Sequence, residues 1–381
     1  MITFHHSTHL PRLIVTDLDG TLLNPERTVT TRSVQALHLA QSFRLQHNSR
    51  SSDSDETAQT AASAHAPIRI MLASGRSARS IQRVIDENFQ GIMVPDAVLC
   101  SNGALTYNPR TKTISFPQFI PLDEAIKTVD RLTMAIKSES VSKHQLPIEK
   151  RADIDHDLDD NEMIKGRPGF ACQVLWFSLE QEGSISYGAD TFFVCDRTFE
   201  TERRGGIHYD YLAVDDMQEF LRSLHEPLAG TENGANKIPR GGIIKLLALD
   251  RNRIASEVYE SLPDSLRSKT GSSDAPTAIP PISLTYSGPL FLEVSGPGVN
   301  KGLGLRQYCD GNGIARQDVA AFGDLLNDAE MLEYAGLGLC MGNGHPEMKR
   351  LADRVIGTNA EDGLAKEIES WFSTNPKYSA D

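Results

Sequence analysis

The chain has 381 residues, of which 39% are hydrophobic and 23% charged, and its formal net charge is −13. This length is enough for two or three domains with large buried cores. The acidic balance disfavours binding to nucleic acid or to an anionic membrane, because neither polyanion gains from an acidic partner. The sequence also has no apolar run of about 18 residues or more, so it predicts no membrane span.

The five cysteines lie far apart, and no two of them have the Cys-x-x-Cys spacing. This pattern predicts neither a disulfide framework nor a zinc site, and it favours a reducing, cytoplasmic environment. The segment 1–10 contains three histidines and lacks the apolar stretch of a signal peptide.

The first predicted element is a short buried strand, residues 13–16, which ends at Asp17. A helix is predicted over residues 30–46. Residues 47–66 are rich in Ser, Asp, Ala and Gln and almost free of large apolar side chains, so we predict a disordered insertion there. Strand, helix and strand then follow in turn, a pattern typical of a parallel α/β sheet; they cover residues 68–72, 77–88 and 97–100.

The pattern changes after residue 104 and returns near Lys301. Between these points, strand-like runs and helices alternate irregularly, which indicates a separate α+β domain inserted into the first. We therefore predict an α/β fold: a Rossmann-like core with a parallel sheet, interrupted by an inserted α+β domain. The predicted core comprises residues 11–104 and 288–372, the inserted domain residues 105–287, and the flexible termini residues 1–10 and 373–381.

Polar side chains follow the carboxyl ends of four predicted strands. Asp17 and Asp19 follow the first strand, Ser74 the second, Asn102 the third and Asp324 the fourth. Because ligands of open parallel sheets bind beyond these strand ends, we expect the side chains to form one site.

Four carboxylates are expected at this edge, those of Asp17, Asp19, Asp324 and Asp328. Like charges this close repel one another, so either some are protonated or a cation lies among them. Hard oxygen ligands suit Mg²⁺, which takes one or two carboxylates together with water and substrate phosphate oxygens. Such a cation also keeps Asp17 ionised, as a nucleophile requires.

Other residues of the same set suit an anion. Ser74 and the amide of Gly75 are predicted at the start of a helix, which favours negative charge. Lys301 supplies a compact cation for a phosphate group. Gly20 permits a tight turn, and Thr21 adds a hydroxyl.

Each feature taken alone has an ordinary structural explanation. Asp-x-Asp-Gly is a common turn, and Ser74 is a suitable helix cap. A lysine such as Lys301 is most often solvated, and Asp324 with Asp328 is typical of an exposed helix start. Their joint occurrence in order at strand ends is what favours a catalytic site.

The same residues resemble the motifs of the haloacid dehalogenase superfamily of phosphohydrolases, in particular its Cof-type members with a large inserted C2-type (IIB) cap. Four segments are similar to the four motifs of that superfamily. They are Asp17-Leu18-Asp19-Gly20-Thr21, Leu72-Ala73-Ser74-Gly75-Arg76, Lys301 in Gly298-Val299-Asn300-Lys301-Gly302, and Gly323-Asp324-Leu325-Leu326-Asn327-Asp328. Ser101-Asn102-Gly103 and Met341-Gly342-Asn343-Gly344 also fit.

The resemblance implies a role for each residue. Asp17 is expected to attack phosphorus and form an aspartyl-phosphate, with Asp19 as general acid and then general base. Asp17, the carbonyl of Asp19 and Asp324 are expected to hold Mg²⁺, with Asp328 in support. The residues expected to bind the phosphoryl group or lie beside the substrate are Thr21, Ser74, Gly75, Asn102, Lys301 and Asn327.

The expected activity is thus Mg²⁺-dependent hydrolysis of a small phosphorylated metabolite. Two alternatives remain open at this point. A phosphomutase shares the sheet, the metal and the nucleophile but returns the phosphoryl group to a second hydroxyl. A non-catalytic protein that binds a phosphorylated metabolite is the other. The sequence identifies neither the substrate nor the oligomeric state.

Overall fold

The structure is a computed structural model, and it describes residues 10–43, 67–138, 168–179, 185–202, 211–224, 239–250, 253–263, 266, 282–286 and 290–373. The insertion predicted over residues 47–66 lies outside the described residues, as do residues 1–9 and 374–381 of the predicted termini.

The described helices and strands alternate at both ends of the chain. The helices are α1 Thr31–Ser42, α2 Ala78–Asn88, α3 Leu122–Ser138, α4 Arg197–Glu202, α5 Met217–Ser223, α6 Ala255–Ser261, α7 Lys301–Asn312, α8 Ala329–Tyr334, α9 Pro346–Leu351 and α10 Gly363–Ser373. The strands are β1 Leu13–Asp17, β2 Arg69–Ala73, β3 Ala97–Cys100, β4 Leu105–Asn108, β5 Thr113–Ser115, β6 Gly169–Leu179, β7 Ile185–Asp196, β8 Tyr211–Val214, β9 Pro239–Leu249, β10 Ser283–Thr285, β11 Leu292–Ser295, β12 Val319–Gly323, β13 Leu337–Cys340 and β14 Arg354–Val355.

The chain divides into two compact units, Met1–Thr113 with Lys301–Asp381 and Ile114–Asn300. These bounds differ from the expected limits of the inserted domain, residues 105–287. The difference arises because β4 pairs antiparallel with β3 in the first unit. Similarly, β11 pairs antiparallel with β9 and so belongs to the second unit.

The first unit is built on a sheet of eight described strands in the order β14-β13-β12-β1-β2-β3-β4-β5. Neighbouring strands from β14 to β3 are parallel. Every residue of β1 is buried, as expected for a central strand covered on both faces. The predicted α/β class with a parallel sheet is therefore confirmed.

Two helices of this unit differ in extent from the prediction. The helix α1 ends at Ser42 rather than near residue 46, because Phe43 takes an extended conformation. There its ring lies 5.2 Å from that of Phe372, between centroids. The helix α2 begins at Ala78, because Ser77 is its N-cap and accepts a hydrogen bond from the amide of Ser80.

The second unit contains six described strands in the order β10-β11-β9-β6-β7-β8. The pairs are antiparallel except for β7 and β8, which run parallel. One hydrophobic cluster joins this sheet to its helices and includes Leu132 of α3, Leu221 of α5, Val258 of α6 and Leu246 of β9. Within the described part of the chain, no helix is both long and apolar enough to cross a membrane.

Candidate active site

The carboxyl ends of four adjacent strands bring the predicted residues of the first unit together. Asp17 is the last residue of β1, and β1 pairs with β12 on one side and β2 on the other. Asp324 directly follows β12, and Ser74 directly follows β2. The next strand, β3, is followed by Ser101 and Asn102. The strand order thus explains why residues more than 300 positions apart meet at one edge of the sheet.

A buried lysine joins two of the carboxylates. The Nζ of Lys301, the first residue of α7, donates hydrogen bonds to Oδ1 of Asp17 at 2.5 Å and to Oδ1 of Asp328 at 2.6 Å. The side chains of Lys301 and Asp328 are 1% and 0% exposed, so neither charge is solvated. Buried charges persist only when paired, and here each has a partner. Lys301 is therefore not a solvated surface lysine.

Asp328 uses both of its carboxylate oxygens inside the protein. Oδ2 accepts hydrogen bonds from the backbone amides of Asp324, at 3.0 Å, and of Leu325, at 3.1 Å. Gly323 makes room for this carboxylate, since a Cβ at that position would lie 2.6 Å from the Cβ of Asp328. Asp328 thus fixes the loop that carries Asp324 and also holds Lys301.

Asp324 is oriented by the loop that follows β1. The hydroxyl of Thr21 donates a hydrogen bond to Oδ1 of Asp324 at 2.9 Å. Gly20 has a φ of +90°, and a Cβ there would collide with the Asp324 carboxylate. The turn therefore requires glycine for two reasons, the left-handed backbone and the space occupied by Asp324.

Burial and the repulsion between neighbouring carboxylates disfavour the ionised forms of Asp17 and Asp324. Burial raises the pKa of Asp17 well above its usual range, and the carboxylates of Asp328 and Asp324 add to this effect while Lys301 counteracts it. Burial, together with Asp328, also raises the pKa of Asp324 to about 7. Burial alone favours a neutral Lys301, but the adjacent Asp17 and Asp328 carboxylates hold the pKa of Lys301 above its ordinary value.

Three of these carboxylates lie close enough together to hold a metal ion. One oxygen from each of Asp17, Asp324 and Asp328 lies within 4.8 Å of the other two. Three hard oxygen donors with a single ammonium group between them leave an excess of negative charge, which suits Mg²⁺. Because both oxygens of Asp328 already accept hydrogen bonds, Asp17 and Asp324 fit the role of direct ligands better.

Asp19 lies outside this buried cluster. Its carboxylate is 50% exposed and forms a bidentate ion pair with Arg76. The Nε of Arg76 donates to Oδ2 of Asp19 at 2.8 Å, and Nη2 of Arg76 donates to Oδ1. The two carboxylates of Asp-Leu-Asp are thus separated into a buried one and an accessible one.

The predicted phosphate-binding residues Ser74, Asn102 and Asn327 are held by backbone and side-chain contacts. Ser74 is buried, and its Oγ accepts a hydrogen bond from the amide of Arg76 at 3.2 Å. Asn327 donates to Oδ1 of Asn102 at 3.4 Å, and Asn102 has a left-handed backbone with a φ of 58°. The helix α2 starts only after Gly75, so Ser74 and Gly75 belong to the preceding loop rather than to a helix N-terminus.

Two residues in the quoted motifs received no role from the sequence. Arg76 pairs with Asp19, and Asn343 donates a hydrogen bond to the carbonyl of Gly20 at 2.8 Å. Their positions within Leu72-Ala73-Ser74-Gly75-Arg76 and Met341-Gly342-Asn343-Gly344 are the only signal that the sequence offers for them.

Comparison with known proteins agrees with this geometry. A family model described as haloacid dehalogenase-like hydrolase matches residues 14–142 and 203–368. The chain therefore belongs to the haloacid dehalogenase-like hydrolases, which confirms the resemblance seen in the motifs.

Two relatives from Bacillus subtilis (strain 168) are named 5-amino-6-(5-phospho-D-ribitylamino)uracil phosphatase. YcsE is 41% identical over 216 residues, covering 54% of this chain and 79% of YcsE. YitU is 45% identical over 82 residues, covering 22% of this chain but only 30% of YitU.

A solved haloacid dehalogenase-like hydrolase from B. subtilis superposes with a TM-score of 0.56 at 20% identity. The superposition covers 94% of this chain and 99% of that chain. At this level of identity the likeness supports the fold.

Proposed function

We propose that this protein is a Mg²⁺-dependent phosphatase that hydrolyses the phosphomonoester of a small metabolite through an aspartyl-phosphate on Asp17. The observation that carries the proposal is the buried group of Asp17, Lys301 and Asp324 at the end of β1. A carboxylate with an ammonium group and a second acidic ligand beside it is equipped to attack an anionic phosphorus centre.

The nucleophile is assigned to Asp17 because of its surroundings. Its Oδ1 is held by Lys301. Among the residues that the structure describes, no donor contacts Oδ2 of Asp17, so we assign the attack on phosphorus to that oxygen. In the first half-reaction a bond forms between this oxygen and phosphorus, and the bond from phosphorus to the leaving oxygen breaks. Asp19 gives the leaving oxygen its proton.

The second half-reaction restores the enzyme. Asp19, now a carboxylate, takes a proton from a water molecule, and the water oxygen attacks phosphorus. The bond between phosphorus and Asp17 breaks, and inorganic phosphate leaves. The partial exposure of Asp19 supports this assignment, because an acid and base must reach the leaving group and water.

The remaining residues would hold the metal ion or orient the phosphoryl group. Asp17 and Asp324 would hold Mg²⁺ together with the carbonyl of Asp19, and the ion when bound would offset negative charge on the phosphoryl group and on the carboxylates. Ser74, the amide of Gly75, Asn327 and Lys301 would position the phosphoryl group. Thr21 acts through Asp324, to which it is hydrogen-bonded.

The names of relatives support a proposal for the substrate class. YcsE and YitU are named for a phosphorylated ribitylaminouracil. YbhA of Escherichia coli (strain K12), which is 39% identical over 79 residues covering 21% of this chain and 29% of YbhA, is named pyridoxal phosphate phosphatase. These are small phosphomonoesters, and we propose a substrate of that size. All five cysteines are buried free thiols, which supports a reducing, cytoplasmic location.

Release of inorganic phosphate tests the proposal. The purified chain with Mg²⁺ is incubated with ribitylaminouracil 5-phosphate, pyridoxal phosphate, flavin mononucleotide, nucleotides and sugar phosphates. We expect phosphate release equal to substrate loss for at least one compound, with the Asp17→Asn variant inactive. Substrate loss without phosphate release would identify a phosphomutase, and binding without turnover would identify a non-catalytic protein. Either result contradicts the proposal.

A further inference from the structure

Building on this proposed function, we propose that Arg76 is a positioning residue that fixes the carboxylate of Asp19 for proton transfer. Arg76 contacts both oxygens of Asp19 through Nε and Nη2. An arginine fork that contacts a carboxylate at two points sets the plane and the direction of that group, which a single hydrogen bond does not.

Asp19 gains from such a partner because its side chain lies outside the buried cluster and is partly solvated. Its side chain is 50% exposed, in contrast to the buried Asp17. A solvated carboxylate on a loop samples several rotamers, and each misdirected rotamer lowers the rate of proton transfer. A group that serves twice, at the leaving oxygen and then at water, gains from a fixed position in both half-reactions.

Arg76 is itself well anchored, so it is able to hold Asp19. Its backbone amide donates to the Oγ of Ser74 at 3.2 Å, and its backbone carbonyl accepts a hydrogen bond from the amide of Ser101 at 2.9 Å. The loops after β2 and β3 thus fix the backbone of Arg76. The pairing of β1 with β2 sets the distance from there to Asp19.

The competing role is direct binding of the substrate phosphate by Arg76. The two roles differ in what a substitution changes. Loss of a phosphate ligand raises KM and does so whether or not Asp19 is present. Loss of a positioning residue lowers kcat, and it has no further effect once Asp19 has been replaced.

A double-mutant cycle of Arg76→Met and Asp19→Asn separates these roles. kcat and KM are measured with p-nitrophenyl phosphate, which has a good leaving group, and with an alkyl phosphate, which has a poor one. Arg83→Met is the matched control, because Arg83 pairs with Glu87 through Nε at 2.7 Å on an exposed part of α2. Arg76→Lys keeps the charge but not the fork, and the folding of each variant is checked by circular dichroism.

We expect Arg76→Met to lower kcat for the alkyl phosphate by about 10- to 100-fold, which is less than the about 10²- to 10⁴-fold that general acid–base catalysis supplies in full, because Asp19 itself is retained. The loss should be at least about fivefold smaller for the aryl substrate, which needs less protonation of its leaving group. Arg76→Lys should recover part of the loss, and Arg83→Met should leave kcat unchanged. In the Asp19→Asn background, Arg76→Met should change kcat by less than about twofold.

A measurement without turnover tests the pairing itself. The ¹H–¹⁵N resonance of the Arg76 Nε should shift in the Asp19→Asn variant, whereas that of Arg83 should not. A wild-type protein without turnover contradicts the proposed function, and with it the catalytic role of Arg76. An active enzyme contradicts the Arg76 proposal alone in any of three cases: Arg76→Met raises KM at constant kcat, Arg76→Met adds its full effect to that of Asp19→Asn, or the Nε resonance does not move.

Discussion

The Nζ of Lys301 lies 2.6 Å from Oδ1 of Asp328, at the start of α7 and in the loop after β12 respectively. The other oxygen of Asp328 accepts hydrogen bonds from the backbone amides of Asp324 and Leu325. The buried carboxylate of Asp328 therefore holds the ammonium group of Lys301 and also fixes the loop that carries Asp324. Neither function needs Asp328 to contact a metal or a substrate.

We predict that Asp328→Asn lowers both stability and turnover. The amide removes one acceptor from a buried set of donors, which costs about 1–3 kcal/mol of unfolding free energy. It also leaves Lys301 with a single charged partner, so kcat should fall by about tenfold or more, since 1.4 kcal/mol corresponds to a factor of ten. Urea unfolding and steady-state kinetics measure the two effects.

Asp353→Asn is the control for that substitution. Oδ2 of Asp353 accepts the backbone amide of Gly338 at 2.7 Å, near the amino-terminal end of β13 rather than at the site. Its loss should reduce stability without changing kcat. Equal kinetic effects of Asp353→Asn and Asp328→Asn would contradict the role of Asp328.

We predict that Asp17→Asn lowers turnover by about 10⁴-fold or more, as replacement of a covalent nucleophile does in other enzymes. The variant should still fold, because the neutral amide avoids the charge that burial and neighbouring carboxylates disfavour at this position. Phosphate release and thermal unfolding are the measurements. Turnover of p-nitrophenyl phosphate at the wild-type rate would contradict the assignment of the nucleophile.

We predict that Gly20→Ala inactivates the protein more than its loss of stability explains. The left-handed φ of +90° strains any other residue by about 1–3 kcal/mol. The new Cβ also displaces the Asp324 carboxylate, which should reduce kcat. Gly91→Ala separates the two effects, because Gly91 has a φ of +74° but no atom within 4 Å of the added Cβ. We expect Gly91→Ala to lower stability and leave kcat unchanged, and a similar loss of kcat in both variants would count against this view.

We predict that Mg²⁺ raises the thermal unfolding temperature and that chelation reverses the change. A ligand at 100 times its dissociation constant stabilises the folded state by about 2.7 kcal/mol. Asp324→Asn should remove most of this gain, and Thr21→Val should reduce it, because the Thr21 hydroxyl orients Asp324. The Thr21→Ser variant keeps the hydroxyl and should respond as the wild type does. An unchanged Mg²⁺ response in Asp324→Asn would exclude this residue as a ligand.

We predict a pH dependence of stability that originates in the second unit, at Asp196. Burial raises the pKa of Asp196 to about 6. The hydrogen bonds that its oxygens accept from the backbone amides of Phe199 and Phe170 lower the pKa and offset only part of this effect. Because the folded pKa exceeds the unfolded value, the folded state binds the proton more tightly. Stability from this group is fully present below the unfolded pKa and is lost as the pH rises through about 6.

The Asp196→Asn variant isolates this contribution. The unfolding free energy of the wild type minus that of the variant should fall by about 2–3 kcal/mol between about pH 4 and pH 7, since one pKa unit corresponds to 1.36 kcal/mol. Urea titrations at several pH values measure this difference. A difference that stays constant, or that rises with pH, would show that burial does not control the ionisation of Asp196.

The sequence alone determined the class of the fold and the position of its motifs along the chain. Short, largely apolar runs such as Leu13–Asp17 and Val319–Gly323, alternating with helical segments, are typical of the buried strands of a parallel sheet, and strand ends in such a sheet share one edge. The convergence of Asp17, Ser74 and Asp324 could therefore be expected from the sequence. Local patterns of polarity and strand order carry that information.

The tertiary structure decided which side chain contacts which partner. Thr21 was expected to bind phosphate, and in the structure its hydroxyl donates to Asp324. The sequence grouped Asp328 with the metal ligands, whereas its oxygens accept hydrogen bonds from Lys301 and two backbone amides. Arg76 had no predicted role, and it pairs with Asp19 across 57 positions.

The limits of the inserted unit were also decided only by pairing. The strand β11 contains a glutamate, Glu293, which makes the run look less like a buried strand in the sequence. In the structure Glu293 is buried, and its Oε2 lies 3.0 Å from the Nζ of Lys245. A charged residue buried within a strand is stable only when a partner neutralises it. Such partners lie far apart in the sequence and meet only through strand pairing. Periodicity and composition do not show which residues will meet.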